Sequence, residues 1–594
     1  MNGALLLLIG VACFTAAYFL YSRFIARAIG VDPSRPTPAH SMKDGIDYVP
    51  AHPMVLYGHH FAAIAGAGPI IGPVLAAQFG WAAVALWIVL GCIFIGSMHD
   101  MVTLFLSVRH QGKSIGSVIE EVLGRPGKMI FLMFCFAALV LVMAVFTGQV
   151  ADAFVSNPEV ATSSLLGIFE AALFGVCVYR FRWSVFAASF VFVPLLFLLV
   201  WIGVVFPCDL TALFGVSAAQ AKNVWVFVLF VYCFVASTLP VWLLLQPRDY
   251  LNSYLLYAML AIGLTAVFVT CPTLNINAFS GVAVKSAAGG STMRLFPLLF
   301  VTVACGACSG FHALVASGTT SKQISSEAHI RPIGYGCMLL EGVVALLALV
   351  AVAWRSQGDL VAGLAGGKPV VLFAQGLASF CGRLGLPEKT SESFMLLAVA
   401  AFLMTSVDAC TRLARFVWQE LWSTASSAQE GAAAASADAP VPRSPLIVRL
   451  NRNMYFATAV VVAIGVYLLV LNPEMASNLW TMFASANQML ASLTLLTATL
   501  WLFKNRLKFW MVALPMCFMI VTSGAAVLQL FVENVGKWMR EGFAKGGVTA
   551  IGAGVLFVLA VVLLALGAAK IRRLLRSRIA RRIAGDGHPA PRGH

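Results

Sequence analysis

Runs of about twenty apolar residues recur along this chain, and their recurrence restricts its fold more than any other feature. A helix that crosses the hydrocarbon core of a bilayer needs about 20 such residues. They fall near 3–25, 55–79, 81–106, 129–151, 163–179, 184–206, 223–246, 251–271, 295–318, 334–354, 393–412, 453–471, 478–503, 509–531 and 548–569. Only 11% of the 594 residues are charged, against about 25% in soluble domains. The expected class is therefore an all-α polytopic membrane protein of about 15 transmembrane helices.

The net charge of +15 raises the question of nucleic acid, and its distribution answers it. Lys and Arg cluster in short loops between the apolar runs, which is a topology signal. With the N-terminus outside, all but ten of the 39 Lys and Arg fall on the cytoplasmic side. A single miscounted run would reverse that bias downstream of it, and no reversal occurs. The expectation is a multi-pass protein of a bacterial inner membrane, N-terminus out and C-terminus cytoplasmic, whose partners are a small molecule and lipid, not nucleic acid. Met1–Arg23 reads as a first span without a basic n-region or an A-x-A site.

The polar stretches divide the chain. Residues 1–54 comprise the first span and a cytoplasmic loop, and 55–415 read as the core. Residues 356–392 form an outer segment in which Val370–Phe380 could be a short interfacial helix. Residues 416–452 contain an Ala/Ser/Pro-rich linker at 423–445, ahead of additional spans over 453–569 and a basic tail from 570 to 594. The thirteen cysteines are scattered, with Cys305-x-x-Cys308 the one close pair. Packing is the expected role of that pair, and a disulfide between Cys208 and Cys271 has no support beyond a shared side of the membrane.

The run at 55–79 is a poor continuous helix. Gly66, Gly68, Pro69, Gly72 and Pro73 interrupt it, and in a helix interior glycine costs about 1 kcal/mol and proline about 3. Broken backbone at membrane depth survives only where protein or a water-filled cavity satisfies it, so Gly/Pro-interrupted spans point to a transporter's binding site. A second interrupted run, 223–246, contains Ala236-Ser237-Thr238-Leu239-Pro240. Pairing the two predicts inverted five-helix repeats over about 55–206 and 223–415. The run at 295–318 then holds Ser309 and His312, followed by Ser317, Thr319 and Thr320. These last three hydroxyls could ligate a cation or cap a helix.

Ionisable groups inside spans are costly and are functional candidates by default. His59, His60, His99, Asp100, Glu341 and Asp408 all fall in the cytoplasmic halves of their spans, with Glu170 and His312 elsewhere. Such clustering suits a proton relay, since histidine titrates near neutrality. Competing structural readings are a helical Asp408–Arg412 ion pair, an interfacial Asp100 near Arg109, and packing for Glu170. No metal-ligand spacing is evident, and the absence of an HExxH motif argues against an integral-membrane metalloenzyme. A membrane sensor is opposed by the lack of a soluble output domain.

Four blocks carry a resemblance. They are Gly58-His59-His60-Phe61-Ala62-Ala63-Ile64-Ala65-Gly66-Ala67-Gly68-Pro69 with Gly72-Pro73-Val74-Leu75-Ala76-Ala77-Gln78, then Pro240–Asn252, Ser309–Thr320 and Thr405–Arg415. Together they resemble the carbon starvation protein A (CstA) family. The resemblance implies an inner-membrane transporter of the amino acid–polyamine–organocation type, not an enzyme, for pyruvate with protons or for peptides. His99-Asp100 stands where the family often has Gln-Asp, which keeps the acid and adds a titratable neighbour. The expectation is proton-coupled uptake of a small carboxylate, pyruvate first, with peptide or amino-acid uptake as the alternative. Gly66, Gly68 and Pro69 would seat the carboxylate on backbone N–H groups at a helix start, with Thr238, Gln246 and Ser309 adding hydrogen bonds. His59, His60, Asp100, Glu341 and Asp408 are the candidates for proton coupling, and Ser317, Thr319 and Thr320 for an ion. No cofactor is expected beyond a coupling proton or sodium ion.

Overall fold

A computed structural model describes residues 1–583 except 45–47, 241, 288–291, 435–445 and 472. Among the described residues thirteen helices are long and apolar enough to cross a membrane, or up to fifteen if each bent pair is one span. In chain order the helices are α1 (Gly3–Ile29), α2 (Pro53–Ile64), α3 (Gly68–Phe79), α4 (Trp81–Arg109), α5 (Ile115–Ser156), α6 (Pro158–Arg180), α7 (Val185–Val205), α8 (Ala218–Thr238) and α9 (Leu245–Thr270). After a short hairpin of Ala283–Lys285 with Thr292–Arg294 come α10 (Leu295–Val303), α11 (311–323), α12 (Glu327–Ala353), α13 (Gln357–Ala365), α14 (Pro369–Arg383) and α15 (Glu388–Ala434). The last four are α16 (Met454–Val470), α17 (Asn478–Lys504), α18 (Trp510–Glu541) and α19 (Lys545–Arg576).

The break in the first interrupted span lies where glycine and proline predict it. Helix α2 stops at Ile64 because Ala65 adopts φ −72°, ψ 56°, and the Gly66 N–H turns back to the Ile64 carbonyl at 2.7 Å. Pro69 stands in the first turn of α3, where its missing N–H costs nothing. The halves meet at 46°. Its partner is a second broken span. Ala304 takes φ 44°, ψ −116°, and regular α-helix resumes only at Phe311.

These two broken spans pack on each other, α3 along α10 and the turn at 304–306. At Gly72 the approach is backbone to backbone. Any Cβ on Gly72 would run into the carbonyls of Thr302 and Val303, and one on Gly68 would meet Cys305. On the other side, Gly66 faces Ser406 of α15 and Phe146 of α5.

Packing groups the remaining helices around the broken spans. Helices α5 and α15 run together, α8 lies on α16, α9 packs on α15 and α17 on α5, while α4 and α12 flank the broken spans. The two broken spans start seven spans apart, an odd number, so a chain that crosses at every span runs through them in opposite senses. The expected second break at 236–240 is instead the end of α8, with Pro240 in the connection to α9. Helices α6 and α7 form a hairpin against α9 and α15.

Segment 370–380 is helical, within α14, and is largely buried against α12 and α15. Helix α15 continues to Ala434, into the expected linker, and 435–445 lie outside the described residues. All thirteen cysteines are free thiols, Cys208 and Cys271 included, and both Cys305 and Cys308 are buried.

Candidate functional site

Four elements around the breaks bring one polar cluster together. His60 ends α2, His99 and Asp100 lie in α4, His312 opens α11, and Glu341 lies in α12. All five side chains are fully buried. The Asp100 carboxylate is shared, accepting from His99 Nδ1 at 2.8 Å on Oδ1 and from His312 Nδ1 at 2.7 Å on Oδ2. The opposite nitrogen of His312, Nε2, stands 3.3 Å from Glu341 Oε2. One imidazole therefore bridges two carboxylates contributed by two other helices.

His60 Nδ1 pairs with Thr320 Oγ1 at 2.8 Å. The Nε2 atoms of His60, His99 and His312 and both Glu341 oxygens have no hydrogen-bond partner among the described residues, so His312 and Glu341 meet as an ion pair. Buried polar atoms without partners are expensive, and an imidazole between two carboxylates can hold a proton on the ring or pass it to either side. The arrangement is suited to taking up and releasing a proton.

The cluster adjoins the breaks, because the His312 ring lies against the carbonyl of Ile64. Ser309 and the start of α11 are held by Asn487 of α17. The Phe311 N–H donates to Asn487 Oδ1 at 2.9 Å, the Gly310 N–H donates to the Asn487 carbonyl at 3.1 Å, and Asn487 Nδ2 donates to Ser309 Oγ at 3.1 Å. Gly66, Gly68, Pro69 and Ser309 thus converge where the two breaks meet. Thr238 and Gln246 do not. Thr238 hydroxyl bonds the Val235 carbonyl of its own helix at 2.9 Å, and Gln246 accepts from Tyr179 at 2.9 Å.

The three hydroxyls considered for an ion diverge. Ser317 bonds the Ala313 carbonyl and accepts from the Ile115 N–H, Thr320 meets His60, and Thr319 is exposed. A π-helical turn over Ala316–Thr320 spreads them around the axis. His59 lies beside His60 without a hydrogen bond of its own among the described residues.

Asp408 is not part of this cluster and does not pair with Arg412. It sits fully buried against Arg248 of α9 and Tyr232 of α8. Arg248 Nη1 donates to both Asp408 Oδ2 and the Tyr232 hydroxyl, and Tyr232 donates to Asp408 at 2.6 Å. Arg412 instead caps the end of α8, at 3.1 Å from the Ala236 carbonyl and 2.6 Å from that of Leu239. Asp100 is likewise core and not interfacial, and Arg109 pairs with Glu327 at 2.9 Å. Glu170 is buried with neither oxygen hydrogen-bonded among the described residues.

The family described as "Carbon starvation protein CstA" matches residues 2–367 and 361–526. The chain belongs to the CstA family. Over 610 residues it is 33% identical to the peptide transporter CstA of Escherichia coli K12, covering 89% of this chain and 81% of that protein. It is 32% identical to the pyruvate/proton symporter BtsT of the same organism, covering 90% and 82%. Among solved structures it is similar to a manganese transporter of Eremococcus coleocola at 11% identity, with TM-score 0.46 over 92% of this chain and 99% of that one. This CstA-family chain is a multi-pass membrane protein of a family of transporters.

Proposed function

We propose that the chain is a proton-coupled uptake transporter for a small carboxylate, pyruvate first. The observation that carries this reading is the buried Asp100–His312–Glu341 chain at the meeting point of two broken spans. With both acids ionised and the imidazole charged, that set bears one net negative charge. A proton on Glu341 brings it to zero, so an anionic substrate seated nearby and the extra proton favour each other, which is coupling in its thermodynamic sense. The N–H groups at the start of α3 and their partial positive charge seat the carboxylate, with Ser309 and Ser406 beside it. Alternating access then moves the broken-span bundle against the α5–α15 scaffold. The distribution of basic loops supports a position for the cluster in the cytoplasmic half of an inner membrane.

The 32% identity to a pyruvate/proton symporter supports this substrate, and the peptide transporters among the relatives support the alternative, peptide uptake. Purified protein in liposomes separates them. Labelled pyruvate should accumulate when an inward proton gradient is imposed and not when sodium alone is graded. Pyruvate uptake no greater than that of empty liposomes, with dipeptide uptake in its place, overturns the proposal.

A further inference from the structure

Helix α17 carries a buried polar step, Asn487-Gln488, and both side chains reach the second broken span. Gln488 Nε2 donates to the Phe300 carbonyl of α10 at 2.6 Å. Asn487 takes the far side of the break. Its Oδ1 accepts from the Phe311 N–H at 2.9 Å, while its Nδ2 lies 3.1 Å from Ser309 Oγ and 3.3 Å from Cys305 Sγ. One amide thus touches the irregular turn at its start, in its middle and at the helix that follows.

The first N–H groups of a helix have no partners within it. At the start of α11 those of Gly310 and Phe311 are both taken by Asn487, one by its main chain and one by its side chain. Gly310 leaves no slack, since a Cβ there would run into the Asn487 carbonyl and the Ala491 nitrogen. The next residue along is His312. Its ring faces two acids at once, with Asp100 2.7 Å from Nδ1 and Glu341 3.3 Å from Nε2. A slide of α11 by about 1 Å away from α4 would take Nδ1 beyond hydrogen-bond range.

We propose that Asn487 is a positioning residue for proton coupling, fixing the start of α11 so that His312 stays between Asp100 and Glu341. This role rests on the coupling assigned to those three groups under the proposed function. A residue that only satisfied buried backbone would behave differently, because its loss would loosen the fold generally and spare no one step.

Two measurements on the full chain test this. The first needs no substrate. Diethyl pyrocarbonate acylates accessible imidazole nitrogens, and mass spectrometry reads each histidine separately. In detergent, Asn487→Ala should label His312 about ten-fold faster than wild type, the worth of one or two neutral hydrogen bonds. His110, held by the Leu106 carbonyl of α4, should keep its wild-type rate. The second is uptake in liposomes of whichever substrate, pyruvate or dipeptide, the wild type accumulates. Asn487→Ala should lower gradient-driven accumulation while exchange across the membrane persists. Where Asn487→Ala does not yield monodisperse protein, Asn487→Ser carries both measurements, since its oxygen is too short to reach the Phe311 N–H. Unchanged labelling of His312, an equal rise at His110, or accumulation and exchange falling together overturns the proposal. Wild-type protein that accumulates neither substrate overturns the proposed function and the coupling role of Asn487 with it, while the labelling still decides whether Asn487 holds His312 in place.

Discussion

Two ionic groups lie equally deep in this protein and are built for different ends. Around Asp100 the cation is an imidazole, which can release its proton. Around Asp408 it is a guanidinium, which keeps its charge under all ordinary conditions. The first group spans α4, α11 and α12, the elements that touch the breaks. The second ties α9 and α8 to α15, whose Ser406 faces the first break while Asp408 turns to the helix's other side. Burial of charge alone therefore does not mark a coupling site, whereas the identity of the cation and the elements it bridges do.

The sharpest way to break this contrast is Glu341→Gln. It should abolish gradient-driven accumulation while pyruvate exchange across the membrane persists, and accumulation at the wild-type level would remove Glu341 from the proton path. Next in size is Asp408→Leu, which strands a buried guanidinium and should cost about 3–5 kcal/mol, read as a lower Tm in detergent. The double variant Arg248→Met/Asp408→Leu should recover most of that loss and still couple. A stable double variant without coupling would give the second group the role assigned to the first. Gly72→Ala should destabilise by about 1–3 kcal/mol, the usual cost of overpacking, without changing substrate preference. Smallest is Thr320→Val, which removes one hydrogen bond to His60, worth about 1 kcal/mol, and should leave the driven-uptake ratio where it is.

Much of the architecture was legible because lipid enforces it. Apolar runs of spanning length reveal themselves one by one, and the Gly66–Pro73 interruption located the first break correctly. The second break was misplaced for a physical reason: Pro240 marks a helix end as readily as a break within one. At the site, His60, Asp100 and Glu341 stood out as ionisable groups in apolar runs. The central place of His312 did not, since its partner Asp100 is 212 residues away and no spacing rule links them. Arg248 was hidden among loop charges because it lies in the first turn of its helix. Asn487 was hidden because an uncharged amide in an apolar run carries no signal until the backbone it serves is seen.

The contact of Gly68 and Gly72 with residues 302–305 has a mechanical consequence. A backbone that touches carbonyls at Gly72 and the short Cys305 side chain at Gly68 leaves little flexible material to absorb relative sliding, so the pair behaves as a single strut. Spin labels at Leu75 and Phe300 should report one constant separation in proton-loaded and proton-free protein, while either label measured against α15 changes. A change within the pair would show that the strut bends. If it holds, the conformational cycle of this protein has fewer moving parts than its count of helices suggests.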